Sequence, residues 1–97
     1  MPVATLTQKE IQEALQGLPG WELLDDQITK HYRLGGFAAA ITFVVRLSYE
    51  AQAADHHPDL DIRYDKVQVT LSTHSEGGVT AKDLDLARAI DAVEPRR

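Results

Sequence analysis

The sequence predicts an α+β fold: a four-stranded antiparallel sheet carrying three helices on one face, in the order helix, strand, strand, helix, strand, strand, helix. Three features carry that expectation. Apolar residues recur at helical spacing in three segments, they alternate in the strand-like stretches between, and turn residues divide those stretches into hairpins. The 97 residues are expected to form one domain, residues 1–97, with little room for a second core. No internal repeat, low-complexity segment or linker is visible.

Thr7-Gln8-Lys9-Glu10 reads as a capping box, followed by Ile11, Leu15 and Leu18 on the apolar side of a short helix that Gly17 and the Pro19-Gly20 pair should end. Residues 21–24, the turn Asp25-Asp26 and residues 28–34 read as a hairpin. In its second arm Ile28, Tyr32 and Leu34 share one face with the stem of Lys30, while Thr29, His31 and Arg33 point the other way.

Gly35-Gly36 interrupts the strand. Phe37, Ala40, Ile41, Val44, Leu47, Ser48 and Ala51 then recur through a long second helix ending near Asp55. Phe43, Val45 and Tyr49 fall outside that stripe, so this helix is either covered by a sheet on one side and a partner on the other, or simply well buried. Proline drives its predecessor toward extended backbone, so His57-Pro58 marks a rigid helix-to-strand junction. Residues 62–71 return to strand composition with a turn around Asp65-Lys66; Val67, Val69 and Leu71 face the core, and Gln68, Thr70, Ser72 and His74 continue the opposite face. Gly77-Gly78 makes a loop. Thr80 and Asp83 cap a last helix whose stripe is Leu84, Ala87, Ile90 and Val93, and Pro95-Arg96-Arg97 reads as a loose end.

Ten basic against fifteen acidic side chains give a formal charge of -5, which favours solubility and disfavours direct binding to nucleic acid or anionic membrane. The chain has no cysteine, hence no disulfide, thiolate nucleophile or cysteine-based zinc site. The start Met1-Pro2-Val3-Ala4-Thr5 lacks the basic and apolar sections of an export signal, so a cytoplasmic protein is expected. Residues 37–47, the longest nearly apolar stretch, are broken by Thr42 and Arg46 and are too short to cross a bilayer.

Three of the four histidines occur as Asp55-His56-His57-Pro58 and Thr73-His74, positions that can converge on one small polar site. Histidine titrates nearest neutrality, so such a cluster points to proton transfer. The ordinary structural uses are capping the second helix and hydrogen bonding within the loop; Asp55 can serve the same cap, Asp83 caps the last helix, and Glu76 needs no role as an exposed loop carboxylate. His31 reads as a solvated strand residue. Imidazoles also ligate zinc, but no His-Glu-x-x-His pattern is present, and Gly77-Gly78 lacks the lysine of a phosphate loop.

At these residues the chain resembles the pterin-4a-carbinolamine dehydratase family, also known for a role as dimerisation cofactor of a homeodomain transcription factor. The match runs from Leu6-Thr7 and Gly20-Trp21 through Phe37-Ala38-Ala39-Ala40-Ile41, Arg46 and Asp55-His56-His57-Pro58 to Tyr64-Asp65-Lys66-Val67, Leu71-Ser72-Thr73-His74, Gly78-Val79-Thr80-Ala81-Lys82-Asp83 and Leu84-Asp85-Leu86-Ala87. The resemblance implies an alpha/beta sandwich, a homodimer or homotetramer, and dehydration of 4a-hydroxytetrahydropterin to quinonoid dihydropterin with no metal and no separate cofactor. It makes His56, His57 and His74 the catalytic residues. Asp55, Pro58, Thr73, Ser75 and Glu76 fall in the segments that flank or bind the pterin, and Asp83 and Gln52 in supporting positions.

The reaction needs an acid for the leaving 4a-hydroxyl and a base for the adjacent ring nitrogen. We assign His74 as the base and His56 or His57 as the acid, the remaining histidine orienting the hydroxyl; the order can be reversed. Three residues depart from the family pattern: Gln52 where an acid is frequent, Leu60 where an aromatic residue commonly follows, and Asp61 in place of a frequent asparagine. Weakened turnover on a retained fold is therefore one expectation, and a partner-binding module using Phe43, Val45 and Tyr49 is the main alternative. A metal protein would require stoichiometric metal held by imidazoles.

Overall fold

Thr7 opens α1 (Gln8–Leu15) with both halves of the predicted capping box: its hydroxyl accepts the Glu10 amide at 3.1 Å, and the Glu10 carboxylate accepts the Thr7 amide at 2.8 Å. Those two bonds, the backbone one foremost, hold the Glu10 carboxyl below its ordinary value. The computed structural model describes residues 4–95, so Arg96 and Arg97 of the expected loose end lie outside the described residues.

β1 (Glu22–Leu24) and β2 (Gln27–Arg33) form the first hairpin, turning at Asp25-Asp26 with Asp25 at φ +56°, a left-handed conformation that aspartate tolerates. β3 (Asp59–Arg63) and β4 (Lys66–Leu71) form the second. All pairings are antiparallel and the sheet order is β1-β2-β4-β3. Both boundaries of the second hairpin depart from expectation. Its first strand begins at Asp59 rather than Ile62, and the turn is Tyr64-Asp65, with Tyr64 at φ +53° and Lys66 paired to Arg63. β3 is an edge strand whose residues are all exposed, so its Leu60 and Ile62 give only a weak alternation in the sequence.

Central β2 and β4 put the core on one face. In register, Ile28 faces Leu71, Lys30 faces Val69 and Tyr32 faces Val67, and every apolar member of that set is buried. The opposite face is not wholly solvated: Thr29 is buried, its hydroxyl 3.2 Å from that of Thr70 and accepting from Gln68 Nε2 at 3.2 Å.

α2 (Phe37–Ala54) buries Ala40, Leu47 and Ala51 of the expected stripe but adds Phe43 and leaves Ser48 and Phe37 exposed, Phe37 at 55%. Phe43 is therefore core, and of the three residues expected outside the stripe only Val45 and Tyr49 stand free, at 49% and 71% exposure. α3 (Ala81–Ala92) has its predicted cap at Thr80 and buries Leu84, Ala87 and Ile90 as expected, with Leu86 in addition.

The last turn of α3 is fixed to the first hairpin by Asp91. Its carboxylate accepts from Trp21 Nε1 (3.1 and 3.2 Å), from Lys30 Nζ (2.9 Å) and from the Tyr32 hydroxyl. Burial first, and then this carboxylate, push the Tyr32 phenol far above its ordinary value. Among the described residues no helix is long and apolar enough to cross a membrane.

Candidate active site

Asp55 ends α2 in the left-handed region (φ 50°, ψ 44°), and the His56 amide folds back onto the Ala51 carbonyl at 3.1 Å. That reversal, held by Pro58 two residues later, turns the His56 side chain toward the start of α3 rather than along α2. His56 Nε2 lies 2.5 Å from Asp83 Oδ1, with the imidazole 12% exposed and the carboxylate fully buried.

Asp83 does two things at once. Its Oδ2 accepts the Thr80 amide at 2.9 Å, the reciprocal half of the α3 cap, and the Thr73 hydroxyl at 2.8 Å. Since Thr73 gives its proton to Asp83, the 2.7 Å contact between the Thr73 and Thr80 hydroxyls has Thr80 as donor, and Thr80 Oγ1 in turn accepts the Lys82 amide at 3.2 Å. Among the described residues no buried side-chain polar atom lacks a partner. An ionised Asp83 can only accept, so the proton between it and His56 sits on Nε2 and leaves Nδ1 as the free ring nitrogen.

His74 arrives from the end of β4. Thr73 forms an isolated bridge with Gly78 (Thr73 amide to Gly78 carbonyl, 2.9 Å), which closes residues 74–77 into one turn of 3₁₀-helix, His74–Glu76, ended by Gly77 at φ +74°. The Ser72 hydroxyl donates to the Asp26 carbonyl at 3.0 Å and ties this loop to the first hairpin. His74 is exposed at the turn and makes no side-chain hydrogen bond among the described residues.

Asp55, His56, His57, Ser72, Thr73, His74, Ser75 and Lys82 line one depression of about 300 Å³. The three histidines of the two motifs are thus brought together, with Asp55, Thr73 and Ser75. Asp83 lies behind His56. Gln52 lies outside the lining but touches His57, its Oε1 3.3 Å from Nε2, so the departure from an acidic residue leaves a neutral hydrogen bond there. Pro58 and Glu76 are not among the lining residues, and the Glu76 carboxylate accepts only a 3.5 Å bond from the Ser75 hydroxyl among the described residues. His31 is exposed on β2, away from the lining. Sequence reasoning missed Lys82 and Ser72 as lining residues; the available signals were the alternation that puts Ser72 on the face of His74 and, for Lys82, its place beside Asp83.

A second depression of about 430 Å³, between the start of α1, the first hairpin turn and Gly77-Gly78, contains no histidine. Among the described residues no group of three or more His, Cys, Asp and Glu side chains is arranged to hold a metal ion.

Clustered imidazoles, one backed by a buried carboxylate, on a four-stranded sheet under three helices define a small α+β protein suited to moving protons on a compact polar ligand. The chain belongs to the pterin 4 alpha carbinolamine dehydratase family, whose pattern it matches over residues 4–93. A putative pterin-4-alpha-carbinolamine dehydratase of Roseiflexus castenholzii is 49% identical over 90 residues, covering 93% of this chain and 97% of the relative. One of Chloroflexus aurantiacus is 48% identical over 88 residues, covering 91% and 95%. The crystal structure of a transcriptional coactivator/pterin dehydratase from Brucella melitensis superposes with a TM-score of 0.89 at 39% identity, covering 94% of this chain and 99% of that one. A pterin dehydratase-like protein identified as a RuBisCO assembly factor in the alpha-carboxysome shares the fold at 18% identity and a TM-score of 0.63, over 79% and 89%.

Proposed function

We propose that this protein removes water from 4a-hydroxytetrahydropterin, giving quinonoid dihydropterin, by acid–base catalysis from His56, His57 and His74. The observation that carries the proposal is the meeting of these three side chains in one depression, with His56 fixed by a fully buried Asp83. A proton must reach the C4a hydroxyl as the C4a–O bond breaks, and N5 must lose its proton as the C4a–N5 double bond forms; water leaves and no electrons are exchanged.

His56 suits the acid. Asp83 stabilises its imidazolium through Nε2, and Nδ1 is the nitrogen left to donate to the departing hydroxyl. His74 suits the base, because neither ring nitrogen is engaged by another side chain. His57, with Nε2 on Gln52 Oε1, keeps Nδ1 to orient the hydroxyl. Thr73 is 4% exposed and its hydroxyl is committed to Asp83, so it serves the pterin by holding Asp83 in place, while Asp55, Ser72 and Ser75 offer acceptors and donors to the amino-oxo edge of the ring.

Stopped-flow absorbance of freshly generated 4a-hydroxytetrahydropterin, corrected for spontaneous dehydration, tests this with a His74→Ala comparison. Acceleration by the wild type that the variant loses supports the proposal. No acceleration by correctly folded wild type rejects it. A partner-binding module is the second reading, favoured by exposed Val45 and Tyr49 on α2 and by the coactivator description of the Brucella melitensis relative; Phe43, being buried, adds nothing to that surface. Assembly as a homodimer or homotetramer would cover the same face.

A further inference from the structure

We propose that the outer face of the sheet, at the end formed by the β3–β4 turn, is a docking surface for an acidic segment of a partner protein. This face lies opposite the helices and does not include Val45 or Tyr49 of α2. The strand register sorts its side chains into rows. Thr29, Thr70 and Asp59 share one row across β2, β4 and β3, His31, Gln68 and Asp61 the next, and Arg33, Lys66 and Arg63 the last. Every cation of that last row is exposed.

Like charges directly opposite one another on neighbouring strands oppose pairing, and Lys66 meets a like charge on each side. Protection of a sheet edge accounts for Arg63, on edge strand β3. It does not account for Arg33 and Lys66, which stand on the two central strands. Within the chain Arg63 has its Nε 3.0 Å from Asp61 Oδ1, whereas Arg33 and Lys66 take part in no ion pair among the described residues. Asp65, beside Lys66 in the turn, pairs with neither.

The tip of this hairpin is also strained. Tyr64, next to Arg63, is 70% exposed and holds φ +53°, a left-handed conformation that a bulky side chain rarely takes. At that exposure, packing within the chain does not account for a tyrosine. Tyrosine and arginine are the side chains that concentrate binding energy at protein interfaces, and here they adjoin.

Charge selects the occupant. Strands lie about 4.8 Å apart, so the basic row spans roughly 10 Å from Arg33 to Arg63, the reach of a few acidic side chains on one face of a peptide. Beyond it the same face turns acidic, through Asp61 and Asp59 to Glu22, which is opposite Thr29 on β1. A short acidic segment fits that pattern. A nucleic acid, whose phosphates continue in both directions, meets those carboxylates and a chain of net charge -5. None of the row's cations lines either depression described above, so a small anion would find no enclosure.

The test is fluorescence anisotropy at low salt with a labelled peptide alternating glutamate and serine, its glutamine counterpart, and an oligothymidylate. Wild type should bind the glutamate peptide, release it as salt is added, and leave the glutamine peptide free. Lys66→Glu and Arg33→Glu should each weaken the glutamate peptide by about tenfold, whereas Lys9→Glu, the same change of net charge on exposed α1, should weaken it by less than about threefold. Lys66→Glu also turns both repulsive cross-strand pairs into attractive ones, so its urea midpoint should rise while binding falls; a residue kept for structure would lower the midpoint. Tyr64→Asn, better suited to the left-handed turn, should raise the midpoint too and weaken the peptide. No binding by wild type, binding that survives both Lys66→Glu and Arg33→Glu, or an equal loss in Lys9→Glu overturns the inference. Tighter binding of the oligothymidylate than of the glutamate peptide assigns the face to nucleic acid and overturns the protein partner.

Discussion

Replacing Asp83 by asparagine separates its two duties. The amide preserves shape in a fully buried position but offers one acceptor oxygen where the carboxylate offers two. That oxygen is held on the α3 side, where the Thr80 amide (2.9 Å) and the Thr73 hydroxyl (2.8 Å) both donate. The amide nitrogen then faces His56 Nε2 and, being a donor itself, drives the imidazole proton to Nδ1. The variant thus keeps the cap and loses the charge behind His56 that stabilises its imidazolium. A hydrogen bond to a charged group is worth about 1.5–3 kcal/mol, which corresponds to roughly ten- to hundredfold in kcat. Steady-state dehydration kinetics should show that fall in kcat with KM nearly constant, and urea unfolding should show a folded protein. A folded variant whose kcat stays within about threefold of wild type, less than the smallest loss worked out above, would reduce Asp83 to a helix cap and refute the argument.

The core assignment of α2 predicts that Phe43→Ala costs about 3–5 kcal/mol in urea unfolding while Tyr49→Ala costs under about 0.5; equal costs would mean the helix is turned otherwise. Tyr32 is held neutral by burial and Asp91, whereas the unfolded chain ionises near its ordinary value of 10, so the stability from this proton is complete below about pH 10 and declines as pH rises beyond it. Tyr32→Phe should remove about 1.4 kcal/mol per pH unit from the alkaline slope of stability, read from urea midpoints at two alkaline pH values; an unchanged slope would contradict the assignment. Gln52→Glu restores an acid beside exposed His57, and because exposed pairs are weak the dehydration rate should change by less than about threefold. A larger gain would make His57 rather than His56 the acid.

The elements legible in the sequence are those whose signals are local. Two capping boxes, the Asp25-Asp26 turn, the alternation of Val67, Val69 and Leu71, and the stop at His57-Pro58 each act within a few residues, and each appears where read. Phe43 was hidden because α2 is apolar on overlapping stripes. Both Phe37 and Phe43 lie within one turn of Ala40, so periodicity cannot choose between them; the tertiary packing does, burying Phe43 and leaving Phe37 55% exposed. β3 was hidden because an edge strand is exposed on both faces and carries Asp59 and Asp61. In the site, the histidines could be named from the sequence, but the partner of each could not. Asp83 reads as a cap because its cap contact is three residues away, while its contact with His56 spans 27.

Two capping boxes of the same kind, one idle and one built into the site, provide an internal comparison. Thr7 and Glu10 satisfy the first turn of α1 in solvent, and their side chains make no other hydrogen bond among the described residues. Thr80 and Asp83 satisfy the first turn of α3 in the interior, and the same carboxylate reaches His56 through its other oxygen. Helix formation and imidazole orientation are therefore one event at α3 and unrelated at α1. Thr7→Ala should cost about 1 kcal/mol of stability, with kcat unchanged. Thr80→Ala removes the acceptor for the Lys82 amide and the donor to Thr73, so it should cost a similar or larger amount of stability and lower kcat as well, because Thr73 and Asp83 lose the bond that holds them in register. Measuring both quantities for both variants gives a two-by-two comparison. If Thr80→Ala lowered stability alone, the α3 cap would be as separate from the chemistry as the α1 cap, and the orientation of His56 would have to come from α2.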